Sequence, residues 1–161
     1  MPKESMNLLR ELEAIEPSEF EPGTRIYPCS ALLNDGTVLE CVYFVSADTA
    51  KRLFGPAGIE AVSERLRIPV EQVANVGVSP ARLPARFANQ IYQAGETHYG
   101  CYMFTLVFSR WRREKYSQGG FIDFLSFPRG RRPCDVKEVL LRTGPIRASR
   151  VKEYRWCVYS G

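Results

Sequence analysis

The chain has 161 residues, 45% of them apolar and 25% charged, a composition that suits one soluble globular domain over residues 1–161. No apolar run approaches the roughly 20 residues of a membrane helix. The N-terminal segment lacks the basic start and unbroken apolar stretch of a signal peptide, so a cytoplasmic protein with no membrane partner is expected. Charge is divided along the chain: residues 1–81 carry 7 Lys/Arg against 12 Asp/Glu, and residues 82–161 carry 15 against 6. A basic C-terminal half selects anionic partners but specifies no reaction.

Residues 4–16 place Leu8, Leu9, Leu12 and Ile15 on one helical stripe, and residues 1–20 read as an N-terminal helical extension. Thr24–Leu33 and Thr37–Val45 flank Asn34-Asp35-Gly36, and Asp-Gly is a favoured centre of a two-residue hairpin turn. That turn sets Leu33 opposite Val38, Leu32 opposite Leu39 and Tyr27 opposite Phe44. Pro28 has no N–H for a ladder, which suggests an edge strand. Ser46 caps a short helix over 47–54 that stops at Gly55, and a second helix is expected over about 58–67. Valine-rich residues 70–78 read as a strand. Pro84 suits the first turn of a helix that runs to Ala94, with Phe87, Ala88, Ile91 and Tyr92 inward.

Tyr99–Phe108 is nearly continuous apolar sequence, expected of a central strand covered on both faces. A polar turn through Arg112-Arg113-Glu114-Lys115 leads to 120–127, expected as its antiparallel neighbour. Pro128–Pro133 is a loop, residues 135–142 tilt toward helix between Asp135 and Gly144, and a strand closes the chain at about 150–159. The fold class that follows is α+β, a mainly antiparallel sheet of about six strands with helices packed on it.

Gln72–Phe87 resembles the middle of a bacterial repressor helix-turn-helix, which implies that Arg82 and Arg86 face DNA. The step from Ala74 to Gly77 is one residue short of a helical turn, and Pro84 would fall inside the recognition helix. Strand–turn–helix is therefore the preferred account.

Five cysteines without a CxxC pair, and a single histidine, favour neither a disulfide framework nor a metal site, and no cofactor motif occurs. Cys134, after Arg131-Arg132-Pro133, is the candidate reactive thiol, because basic neighbours and a helix start favour thiolate. An enzyme would need a pocket near His98, Cys101 and Asp123. Buried Asp123 would more simply form a structural ion pair with an arginine.

The candidate binding residues are Arg110, Arg112, Arg113, Arg129, Arg131 and Arg132 with Trp111 and Tyr116. Arginine suits bidentate contact with carboxylate or phosphate. If 99–110 pairs with 120–127, however, the two arginine clusters lie at opposite ends of the hairpin as separate patches. The leading expectation is a non-enzymatic protein that uses its basic half to engage an acidic protein or to self-associate, for instance as a homodimer. In size and charge it is similar to small bacterial accessory or immunity-type proteins. Nucleic-acid binding, with Trp111, Tyr116, Tyr154 and Trp156 as stacking rings, is the alternative.

Overall fold

A strand can bury every residue only if both its faces are covered, and Val42, Tyr43, Phe44 and Val45 are all buried. The computed structural model describes residues 3–96, 100–142 and 151–160 and shows what covers them. The four residues belong to β3 (Val38–Ser46), which follows β1 (Ser18–Glu21) and β2 (Thr24–Leu33). β2 pairs antiparallel with β1, with β3 and with β4 (Val73–Gly77), while β8 (Arg155–Tyr159) lies parallel to β3. On one face Leu12 of α1 (Lys3–Glu13) and the following Ile15 pack with Cys29, Val42, Phe44 and Cys157. On the other, Ala50 of α2 (Ala47–Phe54) joins Ile26, Tyr43, Val45 and Trp156. Ser46 caps α2 by accepting from the Thr49 N–H at 3.1 Å.

The second sheet has β5 (Cys101–Ser109) at its centre, between β6 (Arg112–Gly119) and β7 (Glu138–Leu141), all antiparallel. α3 (Ala85–Ala94) lays Phe87, Ala88, Ile91 and Tyr92 into a core shared with Phe104, Leu106, Phe108 and Tyr116. The fold is α+β and mainly antiparallel, but its eight strands among the described residues form two sheets rather than one. No helix of the described residues is long and apolar enough to cross a membrane.

Several local expectations need correction. The first hairpin closes through a three-residue loop, Asn34–Gly36, with Gly36 at φ 87° and Leu32 opposite Val38. A register shift between Cys29 and Ala31 then restores Tyr27 opposite Phe44. Strand β2 is central, not an edge: Pro28 falls in the gap between the stretch paired with β1 and the stretch paired with β4, where no partner awaits its missing N–H. Residues 58–67 form only 3₁₀ turns at Gly58–Ala61 and Glu64–Leu66, broken by extended Val62. Residues 138–141 are strand because they supply the backbone partner for the second edge of β5. The helix-turn-helix resemblance does not hold, since Val73–Gly77 pairs with β2 as a strand and Arg82 is buried.

Residues 120–127 form no ladder with β5. They pass between the two sheets, with Ile122 and Leu125 in the core of the smaller and Phe124 in the core of the larger. Asp123, at this seam, is completely buried. Its carboxylate accepts from Ser18 Oγ, from Tyr43 OH at 3.0 Å and from Tyr92 OH at 2.5 Å. Each hydroxyl accepts in turn: Ser18 from Arg82 at 3.1 Å, Tyr43 from the Asp123 N–H and Tyr92 from the Ile122 N–H. The expected ion pair with an arginine does not form among the described residues: three hydroxyls take that place, and Arg82 donates to Ser18 rather than to the carboxylate. Burial raises the Asp123 carboxyl above its ordinary value, against the hydroxyl bonds and the Arg82 charge.

Asp123→Ala strands three hydroxyls and the Arg82 charge, and an expected loss of about 3–5 kcal/mol should be measurable by urea unfolding. Tyr92→Phe should cost only about 1–2 kcal/mol, because a single donor is removed. A loss below about 1 kcal/mol for Asp123→Ala would contradict the role given to the network.

Burial first, and the Asp123 charge second, push the Tyr43 and Tyr92 hydroxyls well above 10.0. Both are protonated in the folded and unfolded chain below about pH 10, where their contribution is intact. Above it the unfolded chain ionises and the folded one resists, so the melting temperature should fall as pH rises through and beyond about 10. In Tyr92→Phe that fall should be shallower.

Candidate arginine cleft

The two arginine clusters meet. Arg112 and Arg113 on β6 and Arg129 and Arg131 on the 128–132 loop line one shallow cleft with Phe108, Glu114 and Pro128. The expectation of separate patches rested on pairing 120–127 with β5. The charged run 112–115 is instead the beginning of β6, joined to β5 through the two-residue turn Arg110-Trp111. A charged edge strand resists pairing with other chains, which accounts for arginine and lysine at a position read from sequence as a turn.

Three local devices bring the loop to the hairpin end. The β5–β6 register shifts between Val107 and Ser109, and Phe108 at that irregularity packs edge-on against Phe127, ring centres 6.0 Å apart. Tyr116 OH donates to the Ser126 carbonyl at 3.1 Å. The Arg131 N–H donates to the Pro128 carbonyl at 3.0 Å across a turn in which Gly130 has φ 80°, the left-handed third position of a type II turn. The Arg131 guanidinium sits 5.8 Å above the Phe108 ring.

Trp111 is 82% exposed, with the Arg110 guanidinium 5.0 Å above it. Tyr116 is not a contact residue: it is buried and stacks on Phe104 at 5.4 Å. Trp156 is buried and Tyr154 half-buried around Tyr43, which leaves Trp111 alone of the four expected stacking rings well exposed. Arg132 is exposed outside the cleft lining, and its N–H donates to Asp135 Oδ2 at 2.8 Å. Arg142 donates to the Ala94 carbonyl at the end of α3 at 3.1 Å. Of the other basic residues, Arg147 and Arg150 lie outside the described residues.

Phe108, Glu114 and Pro128 are the lining residues that sequence reasoning missed. Phe108 read as strand interior, and nothing in the local pattern marks the bulge. Among the described residues the one ion pair is Arg65–Glu153 at 3.8 Å, between exposed side chains, so no carboxylate lies within 4.0 Å of any cleft arginine. The cleft volume, about 40 Å³, is far below the roughly 300–1,000 Å³ of a small-molecule pocket.

The other candidate chemistry does not converge. Asp123 is sealed from solvent with every bond supplied by the protein. Cys101 is half-buried on β5, and His98 lies outside the described residues. Cys134 is exposed on a single 3₁₀ turn, Pro133–Asp135, with its sulfur 4.0 Å from the Asp135 carboxylate, so no α-helix N-terminus faces it. Burial raises the Cys29, Cys41 and Cys157 thiols, Cys157 to about 12, as in unreactive core cysteines. Among the described residues, no group of three or more His, Cys, Asp or Glu could hold a metal ion.

Gly130→Ala has open space for its Cβ but inherits a left-handed backbone, an expected cost of about 1 kcal/mol in chemical unfolding. Gly130→Asn should cost less, since asparagine tolerates that conformation. Equal stability of all three forms would show that the turn does not constrain the cleft. No protein-family profile, curated protein or solved structure matches the chain.

Proposed function

We propose that this chain is a non-enzymatic binding protein that docks an acidic protein through the arginine cleft and the adjoining Arg110-Trp111 turn. The observation that carries this reading is that four arginines from two chain segments line one cleft and, although Glu114 lines it too, none of them forms an ion pair among the described residues. Like charges gathered this way repel one another, and the arrangement is favourable once an anionic surface supplies the counter-charge. Arginine and tryptophan are also the residues that most often dominate protein interfaces, where a rigid aromatic anchor is ringed by polar contacts. Base stacking on nucleic acid is less well supported, because only Trp111 of the stacking set is well exposed.

The test is binding of the full chain to a fluorescent poly-glutamate peptide at about 50 and 200 mM NaCl, with labelled single- and double-stranded DNA and RNA alongside. Acidic-peptide binding that weakens with salt, and falls about tenfold in Arg113→Ala/Arg131→Ala, is the expected result. Tighter binding to a nucleic acid with the same sensitivity would move the nucleic-acid reading to first place. Absence of binding to every probe at low salt would overturn both.

A further inference from the structure

The cleft's charge count and size are specific enough to name the group that it receives. Four arginines line it, Arg112 and Arg113 at the start of a strand and Arg129 and Arg131 on the glycine-centred turn, together with one carboxylate residue, Glu114. A side-chain carboxylate carries one charge and two oxygens, and one arginine already matches it with two parallel hydrogen bonds. Four arginines around a single carboxylate would leave most of their donors and charge unanswered. A phosphate monoester carries about −1.5 to −2 near pH 7 and presents three strong acceptor oxygens. It is the small biological group whose charge and acceptor count come nearest to this lining.

Size points the same way. The volume of about 40 Å³ exceeds the roughly 10–15 Å³ that one water needs, so the cleft has room for a small polar group. A phosphodiester within a nucleic-acid backbone has one charge, two free oxygens and a chain continuing on both sides. It neither saturates four arginines nor enters the cleft end-on. The site is also organised before binding: β6 is paired to β5, the loop is closed by the Arg131–Pro128 hydrogen bond, and Arg131 rests over Phe108. Glu114 also belongs to the lining, so its residues carry a net charge of about +3, still more than one side-chain carboxylate can balance.

We propose that the cleft recognises a phosphorylated side chain on the acidic partner, so that phosphorylation of that partner governs docking. This inference rests on the docking function assigned above to the same residues.

The experiment is calorimetric titration of the full chain with three Glu-rich decapeptides, identical except for phosphoserine, aspartate or serine at the centre. Inorganic phosphate serves as competitor and a single-stranded oligonucleotide as a separate ligand. The phosphoserine peptide is expected to bind about tenfold more tightly than the other two and to be displaced by millimolar phosphate. Arg113→Ala and Arg131→Ala should each remove that preference while leaving the thermal unfolding midpoint unchanged. Equal affinity of all three peptides, reduced together in the variants, would overturn the phosphate inference and leave acidic docking standing. Binding of no peptide would overturn both, and binding of the oligonucleotide alone would transfer the cleft to nucleic acid.

Discussion

The fold is organised around a carboxylate that water cannot reach. An ionised group in the protein interior is tolerated only when protein donors replace its hydration, and Asp123 obtains those donors from β1, β3 and α3, with Arg82 behind Ser18. Each of these elements belongs to a different part of the chain. Satisfying one side chain therefore ties α3 and the segment that carries Asp123 to the larger sheet, while α3 shares its core with the smaller one. The hydroxyls work in both directions, donating to the carboxylate and accepting from an N–H, so the seam between the sheets is polar yet nearly free of unmatched groups. Arg82 Nε is the exception there among the described residues.

This seam also positions the arginine cleft. Because Asp123 and its neighbours are held between the sheets, the chain leaves at Ser126–Phe127 against β5 and β6, where Tyr116 OH and the Phe108 ring receive it. Arg129 and Arg131 are thereby delivered to the end of the hairpin that carries Arg112 and Arg113. The repulsion of converging guanidiniums is offset by a paired strand and a buried aromatic core beneath them. Two arginines outside the cleft show the contrast: Arg82 is bound into the interior network, and Arg142 closes a helix end. Among the described residues the cleft arginines form no ion pair, and Arg131 rests over the Phe108 ring rather than on a carboxylate.

Elements dominated by local chemistry were legible from the amino-acid sequence. The stripe of α1, the Ser46 cap and Gly55 stop of α2, the Pro84 start and buried face of α3, and the apolar run of β5 all follow from periodicity and capping over a few residues. The arginines and Trp111 of the candidate site were legible as residue types, whereas the sequence left the burial of Asp123 open and pointed to an arginine where three hydroxyls bind it. The assembly of the site was not legible. Tyr116 is a buried strut stacked on Phe104 rather than a contact, and Phe108 lines the cleft from an irregular strand position that the sequence does not mark.

The sequence by itself determined the α+β class, the separation of acidic and basic halves and the supply of guanidiniums, since these depend on composition and short-range pattern. Tertiary structure alone decided which strand pairs with β5, that β2 is central despite Pro28, and that 135–142 ends as strand. It also decided that two arginine clusters form one cleft. The physical reason is that backbone pairing and the burial of a charge are settled by partners far away in the chain. Ser18 meets Asp123 across 105 residues, and no window of sequence contains both.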